Sequence, residues 1–188
     1  MNYISLDLEL NNAQDGSTPD PKIIQVGVAV GNLDQGVLFK KGWLVDPKEP
    51  IYEFITELTG IDDYQISLGS VSLAVVAEEL SEIIKNYECF VNPITWGCGD
   101  AVKLLKDFKE ANIRFPHFGR RELDVKQIHV FLMLAKNFTL KGGLSTSMKR
   151  HGLIFKGTPH RADVDAENTL LLFFKLIENQ KHLLSSFE

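Results

Sequence analysis

The sequence predicts an α/β domain: one mixed sheet of five strands, the first three antiparallel, flanked by helices. Three observations carry this expectation. Ile4-Ser5-Leu6-Asp7-Leu8-Glu9-Leu10 alternates strictly between apolar and polar residues, the period-two signal of a half-buried strand. The next two apolar runs follow after short connections, which suit an antiparallel meander and not a parallel crossover. Beyond them, segments of helical period alternate with strand-like runs, the order expected when helices cover a single sheet.

The elements follow in order. Asn11 to Pro21 is rich in Asn, Asp, Gly, Ser and Pro and reads as a loop. Ile23 to Val30 is a second strand, Asn32 to Gly36 a turn, and Val37 to Val45 a third strand. Asp46 to Ile66 reads as irregular, with a short helix around Ile51 to Leu58. Ser70 to Asn86 places Leu73, Val76, Ala77, Leu80, Ile83 and Ile84 at helical spacing. Phe90 to Trp96 is a strand, broken by Gly97 to Gly99, and a helix begins at Asp100 with Leu104, Leu105 and Phe108 on one face. A weak strand signal lies near Arg114 to Glu122. Helices are expected over Val125 to Leu134 and Gly143 to His151, and a long one from Asp163 to Leu176.

The chain has 188 residues, which suits one domain with one sizeable core. The expected division is a single domain over 1–180 with a short tail over 181–188. No repeat, low-complexity tract or linker interrupts it. At 44% hydrophobic and 24% charged residues, the composition is that of a folded globular chain and argues against disorder. No apolar run approaches the roughly 18 to 20 residues that a membrane span needs. The first residues carry an acid and no basic region, so they read as a strand and not as a signal peptide. Cys89 and Cys98 are the only cysteines, too few for a disulfide framework, and two reduced thiols suit a cytoplasmic protein. The net charge is −5, unevenly placed: residues 1–100 hold 5 Lys, no Arg and 16 acids, and residues 101–188 hold 15 Lys plus Arg and 9 acids. Acidic and basic halves can face one another across a cleft, or simply be two solvated faces.

Residues i and i+2 of a strand point the same way. Asp7 and Glu9 therefore share a face, while Leu6, Leu8 and Leu10 occupy the other. The pair is either a solvated polar face or two carboxylates aimed at a divalent cation such as Mg²⁺ or Mn²⁺, which prefer hard oxygen ligands. Asp100 follows Trp96-Gly97-Cys98-Gly99 at a helix start, where an Asp is commonly an N-cap. His160 and Asp165, five residues apart, lie about 140° from one another around a helix. They can cooperate only if His160 sits in the loop before the helix, and Thr158-Pro159 makes a loop there natural. Asp163 competes with Asp165, although stabilisation by the helix N-terminus accounts for it. His117, His129, His151 and His182 read as structural or solvated.

Asp7-x-Glu9, Ile23-Ile24-Gln25-Val26-Gly27, Ile55-Thr56-Glu57-Leu58-Thr59-Gly60-Ile61, Trp96-Gly97-x-x-Asp100 and His160-x-x-x-x-Asp165, in that order, resemble the DEDDh exonucleases, 3′→5′ exonucleases of the ribonuclease-H-like fold. The resemblance spans about residues 3–176. Lys141-Gly142-Gly143-Leu144 through Lys156-Gly157-Thr158-Pro159-His160-Arg161 is most similar to the branch of small RNA-trimming exonucleases. The resemblance implies that Asp7, Glu9, Asp100 and Asp165 bind two divalent cations, Mg²⁺ or Mn²⁺, and that His160 is the general base. It also implies terminal-nucleotide contacts from Leu8, Leu10, Leu58, Thr59, Trp96 and Arg161, with Leu58 wedged near the terminal base. Leu10 departs from the pattern, since many members carry Thr or Ser there to help hold the nucleotide.

The implied partner is the 3′ end of single-stranded RNA or DNA, with RNA slightly favoured and nucleoside monophosphates released. Arg120, Arg121, Lys149, Arg150 and Arg161 are the expected track for the strand. No membrane partner is expected, and nothing in the sequence indicates a homodimer. Two other readings stand beside this one: a DNA-specific proofreading-type exonuclease, and a regulatory protein-binding module on the same fold.

Overall fold

Strand β1 (Tyr3–Asn11), β2 (Lys22–Asn32) and β3 (Gly36–Val45) form the antiparallel meander that the alternation predicts, in a computed structural model that describes residues 1–136 and 139–185. Helices α1 (Glu53–Thr59) and α2 (Asp63–Gly69) lead to β4 (Ser70–Val71), which joins the outer edge of β3 in parallel. Helix α3 (Leu73–Asn86) then crosses the sheet to β5 (Ile94–Thr95), parallel to β1. Helix α4 (Asp100–Glu110), β6 (Leu123–Asp124), α5 (Val125–Ala135), α6 (Leu144–Arg150) and α7 (Ala162–Ser185) complete the chain. The strand order is β4-β3-β2-β1-β5-β6. It is a mixed sheet flanked by helices, as expected, with six strands where five were predicted.

The differences have local causes. The helix expected from Ser70 starts only at Leu73, because the Ser72 hydroxyl accepts the Val75 N–H at 3.3 Å and caps it. Ser70 and Val71 are thereby left extended and pair as β4. Helix α2 lies in a stretch read as irregular. It is started by Asp62, whose carboxylate accepts the Gln65 N–H at 2.7 Å. The strand expected over Phe90 to Trp96 pairs only at Ile94–Thr95, and the weak strand signal near 114–122 is realised just beyond it as β6. Helix α7 runs on to Ser185, past the predicted end at Leu176. Residues 186–188 of the expected tail lie outside the described residues.

Alternation along the meander separates two cores. Leu6, Leu8, Val26 and Val28 face α3 and α4 and pack with Val76, Leu80, Leu104 and Phe108. Ala29 and Ile94 belong to the second cluster, with Ala166, Leu170, Phe173 and Phe174 of α7. Asn11 ends β1 fully buried. Its amide donates to Glu49 Oε1 and Pro50 O, both at 3.0 Å, and its oxygen accepts the Tyr52 N–H at 2.9 Å. This ties the start of α1, which carries Leu58, to the strand that carries Glu9. No helix among the described residues is long and apolar enough to cross a membrane.

Candidate active site

Asp7 and Glu9 project from β1 on the side of the sheet that α7 covers, opposite Leu6 and Leu8. In the ladder Asp7 lies directly across from Gly27 and Glu9 from Gln25. Asp165 stands on the first turn of α7, and His160 precedes that helix by two residues. His160 has φ 62°, a left-handed backbone that costs an ordinary residue about 1–2 kcal/mol. Its N–H donates to Asp165 Oδ2 at 2.8 Å. The spacing argument therefore holds: His160 is in the loop, and the turn brings it back over the helix. Glu9, His160 and Asp165 each place one ligand atom within 4.8 Å of the other two.

Asp100 comes from the opposite side, as the first residue of α4. The N-cap position falls to Gly99, with φ 121°, and no side chain caps this helix, so the Asp100 carboxylate is not consumed as a cap. Two acids that the sequence reading passed over hold the turn before it. Glu122 Oε1 accepts the Gly99 N–H at 2.7 Å, and Asp124 Oδ1 accepts the Gly97 N–H at 3.1 Å.

The electrostatics are those of an uncompensated carboxylate cluster. Burial lifts Asp7 well above the usual carboxylate range, and the charges of Asp100, Glu9 and Asp165 add to the rise. Glu9 is pushed up to about 8 by burial and then by Asp165 and Asp100, with Arg161 opposing. Asp100 reaches about 7 through burial and the neighbouring Glu122 and Asp124. Burial also raises Asp165, against the hydrogen bond from the His160 N–H. Four carboxylates whose burial raises them all, with Arg161 opposing the rise at Glu9, are an electrostatic setting that a divalent cation would relieve. Oxygen donors converging in this way suit Mg²⁺ or Mn²⁺.

A cleft of about 360 Å³ opens over Asp7, Glu9 and Asp165, and Asp100 does not line it. Asp7, Glu9, His160 and Asp165 form its acidic end, Trp96, Leu144 and Phe155 its apolar wall, and Ser145 and Thr146 add hydroxyls; Leu8 borders the cleft from the strand, with its side chain in the core on the other face. The remaining expected contacts are placed differently. Leu10 packs against the main core and does not line this cleft. Leu58 is exposed on α1. Thr59 is buried, with its hydroxyl donating to Ile55 O at 2.7 Å and accepting the Ile61 N–H at 3.0 Å. Arg161 is half-buried beside Glu9. His129 and His151 stand behind Trp96, their ring nitrogens 3.0 Å apart, in keeping with a structural role.

Sequence reasoning also missed Asn168. Fully buried on α7, it donates to Lys156 O and Val164 O and accepts the Lys156 N–H, all at 2.8–2.9 Å. It staples the strand of loop that ends in His160 onto the helix that carries Asp165. Asn168→Leu leaves both Lys156 backbone groups unpaired. A loss of about 1–3 kcal/mol is expected, since a polar group left without its partner costs about that much when buried and Lys156 is partly reached by water. Denaturant unfolding of the two proteins measures it.

The exonuclease family model, RNase_T, matches residues 4–173. The chain belongs to this exonuclease family. The family is the one that the motifs resembled, and the architecture agrees. A full-length 3′-exonuclease superposes with a TM-score of 0.80 at 16% identity, over 95% of this chain and 61% of that one. The nuclease domain of 3′hExo, described as a DEDDh family member bound to rAMP, gives 0.78 at 17% identity, over 95% and 92%. S. pombe Pop2p, in an Mg²⁺- and Mn²⁺-bound form, gives 0.67 at 20% identity, over 93% and 82%. This chain thus spans about three fifths of the first of these proteins. No curated protein matches its sequence.

Proposed function

We propose that this exonuclease removes nucleoside monophosphates from the 3′ end of single-stranded nucleic acid, with RNA favoured over DNA, using two divalent cations held by Asp7, Glu9, Asp100 and Asp165. The observation that carries the reading is the meeting of Glu9, Asp165 and His160 within 4.8 Å at the acidic end of a cleft that Asp7 also lines. Bound cations would neutralise the charge that develops on the phosphate and the leaving 3′-oxygen and would make water a competent nucleophile at neutral pH. The chain's own groups do the rest. His160, exposed at the mouth, is placed to accept the proton of the attacking water. The apolar wall takes a base by stacking and packing, which is tolerant of sequence. At about 360 Å³, the cleft lies at the small end of ligand sites, roughly 300–1,000 Å³, and suits one terminal nucleotide. The bound rAMP of 3′hExo, on the same fold, supports a ribonucleotide there. The Mg²⁺ and Mn²⁺ of Pop2p support the cations.

End-labelled RNA and DNA oligonucleotides of one sequence, incubated with Mg²⁺, Mn²⁺ or EDTA, test the proposal. A 5′-labelled strand should shorten stepwise to a ladder, faster for RNA, with no reaction in EDTA. A circular strand should survive. Cleavage of the circle would make the chain an endonuclease and end this reading, and full activity in EDTA would remove the cations from it.

A further inference from the structure

The Ile23-Ile24-Gln25-Val26-Gly27 segment supplies no group to the chemistry described above, yet it underlies every part of it. Gln25 is 2% exposed and sits directly across the ladder from Glu9. Its Oε1 accepts the Ala162 N–H at 2.9 Å, joining residues 137 positions apart. Ala162 is the first residue of α7, and the N–H groups of a first turn have no acceptor within their own helix. Gln25 fulfils that role from the sheet.

Gly27, across the ladder from Asp7, removes the steric obstacle to that bond. A Cβ there would fall 1.9 Å from the Ala162 carbonyl carbon, well inside van der Waals contact, so only glycine lets the helix start come down on the strand. Gly42, the next residue outward in the same row, would bring a Cβ to 3.2 Å from Asp163 Cβ. The row Asp7–Gly27–Gly42 is thus a saddle, and the first turn of α7 rests in it. The position of that turn sets the position of Asp165, and through the His160 N–H bond to Asp165 Oδ2 it sets His160 as well.

We propose that Gln25 is a positioning residue of the reaction: by accepting the Ala162 N–H above the Gly27 saddle, it fixes the distance from Asp165 and His160 on α7 to Asp7 and Glu9 on β1. This rests on the function proposed above. It separates Gln25 from an ordinary core residue, whose loss lowers global stability and leaves the surviving folded molecules fully active. A displacement of about 1 Å between reacting groups costs about 10²-fold in rate, so loss of the seat should act on kcat and leave KM little changed.

Two near-isosteric variants test it. Gln25→Met keeps the volume and removes the acceptor. Gln25→Glu keeps an acceptor oxygen at the same reach. For Gln25→Met, amide hydrogen exchange across residues 158–166 should quicken while that of β1 to β3 stays as in the wild type. Its kcat should fall by about 10²-fold, and more Mn²⁺ should be needed for the half-maximal rise in melting temperature. Gln25→Glu, assayed with Mn²⁺ saturating, should restore slow exchange and most of kcat. Equal losses of kcat in both variants would overturn the proposal, as would wild-type kcat and Mn²⁺ response in Gln25→Met. If the wild type itself proves to have no nuclease activity, the proposed function fails. The exchange and Mn²⁺ measurements would then still decide whether Gln25 seats α7 over the carboxylates.

Discussion

Asp7→Asn is expected to lower kcat by about 10³-fold or more while making the metal-free protein more stable at alkaline pH. The first effect follows from the role proposed for the carboxylates: cations that steady the reacting phosphate supply several kcal/mol of transition-state stabilisation, and each 1.36 kcal/mol is about a factor of ten. The second follows from the cluster itself. Asp7, Glu9, Asp100 and Asp165 all hold their protons more tightly in the folded chain than ordinary carboxylates do. A group with a raised folded value contributes stability that is fully present below its unfolded value, about 4 for a carboxyl, and lost as the pH rises through the folded value. Those folded values are about 7 for Asp100 and about 8 for Glu9. The metal-free wild type should therefore lose stability from about pH 4 upward until all four acids are ionised. Asparagine at position 7 removes one buried ionisation and its repulsion with the other three. In EDTA its melting temperature should exceed that of the wild type near pH 8 and approach it near pH 5, by roughly 2–4 °C for each kcal/mol relieved.

The same linkage governs the cations. They compete with protons for these oxygens, so the Mn²⁺-induced rise in wild-type melting temperature should grow between about pH 6 and 8. At 100 times Kd it should correspond to about 2.7 kcal/mol. Melts in Mn²⁺ and in EDTA at several pH values check both statements. An Asp7→Asn protein that melts below the wild type at alkaline pH in EDTA would show that burial and repulsion are not what burden this strand.

Local patterns made half of this site readable and left the other half dark. Asp7 and Glu9 were legible because a strand with period two must send both to one face, and β1 does so. The angle between positions 160 and 165 of a helix let the two cooperate only with His160 in the loop before it, and that is where His160 lies, with φ 62°. The helices from Asp100 and from residue 125 begin where their apolar spacing begins. What escaped was whatever spans the chain. Gln25 bonds residue 162, and Glu122 bonds residue 99. Side chains that serve distant backbone groups leave no periodicity behind. Asn168 looked like one more polar residue on a helix, and its three hydrogen bonds depend on where the loop at Lys156 comes to rest. Strand β4 is two residues long, too short for alternation to register, which is how a sheet read as five-stranded has six.

His160→Asn should cost about 10² to 10⁴ in kcat, the usual worth of a positioned general base. Asparagine is the informative replacement because position 160 has φ 62°, a region that Asn tolerates better than Ala does. The main-chain N–H that holds Asp165 Oδ2 is present in either residue, so α7 and its carboxylate should stay in place. His160→Ala should show the same loss of rate with a small additional loss of stability from backbone strain. The imidazole also lies within 4.8 Å of the Glu9 and Asp165 oxygens, close enough for a second role as a cation ligand, and the two roles part company in melting experiments. A base that holds no cation leaves the Mn²⁺-induced shift intact in His160→Asn, while a ligand takes much of the shift with it. The pH profile separates them again. A base works only in its neutral form, so the acidic limb of the wild-type log kcat/KM profile should change when the imidazole is removed. In His160→Asn the slope of that acidic limb should fall by about one, and added imidazole should recover part of the rate, since the space that the side chain vacates opens on solvent. A variant with near wild-type kcat and an unchanged acidic limb would take the proton transfer away from His160 and leave the four carboxylates with their cations as the whole of the catalytic apparatus.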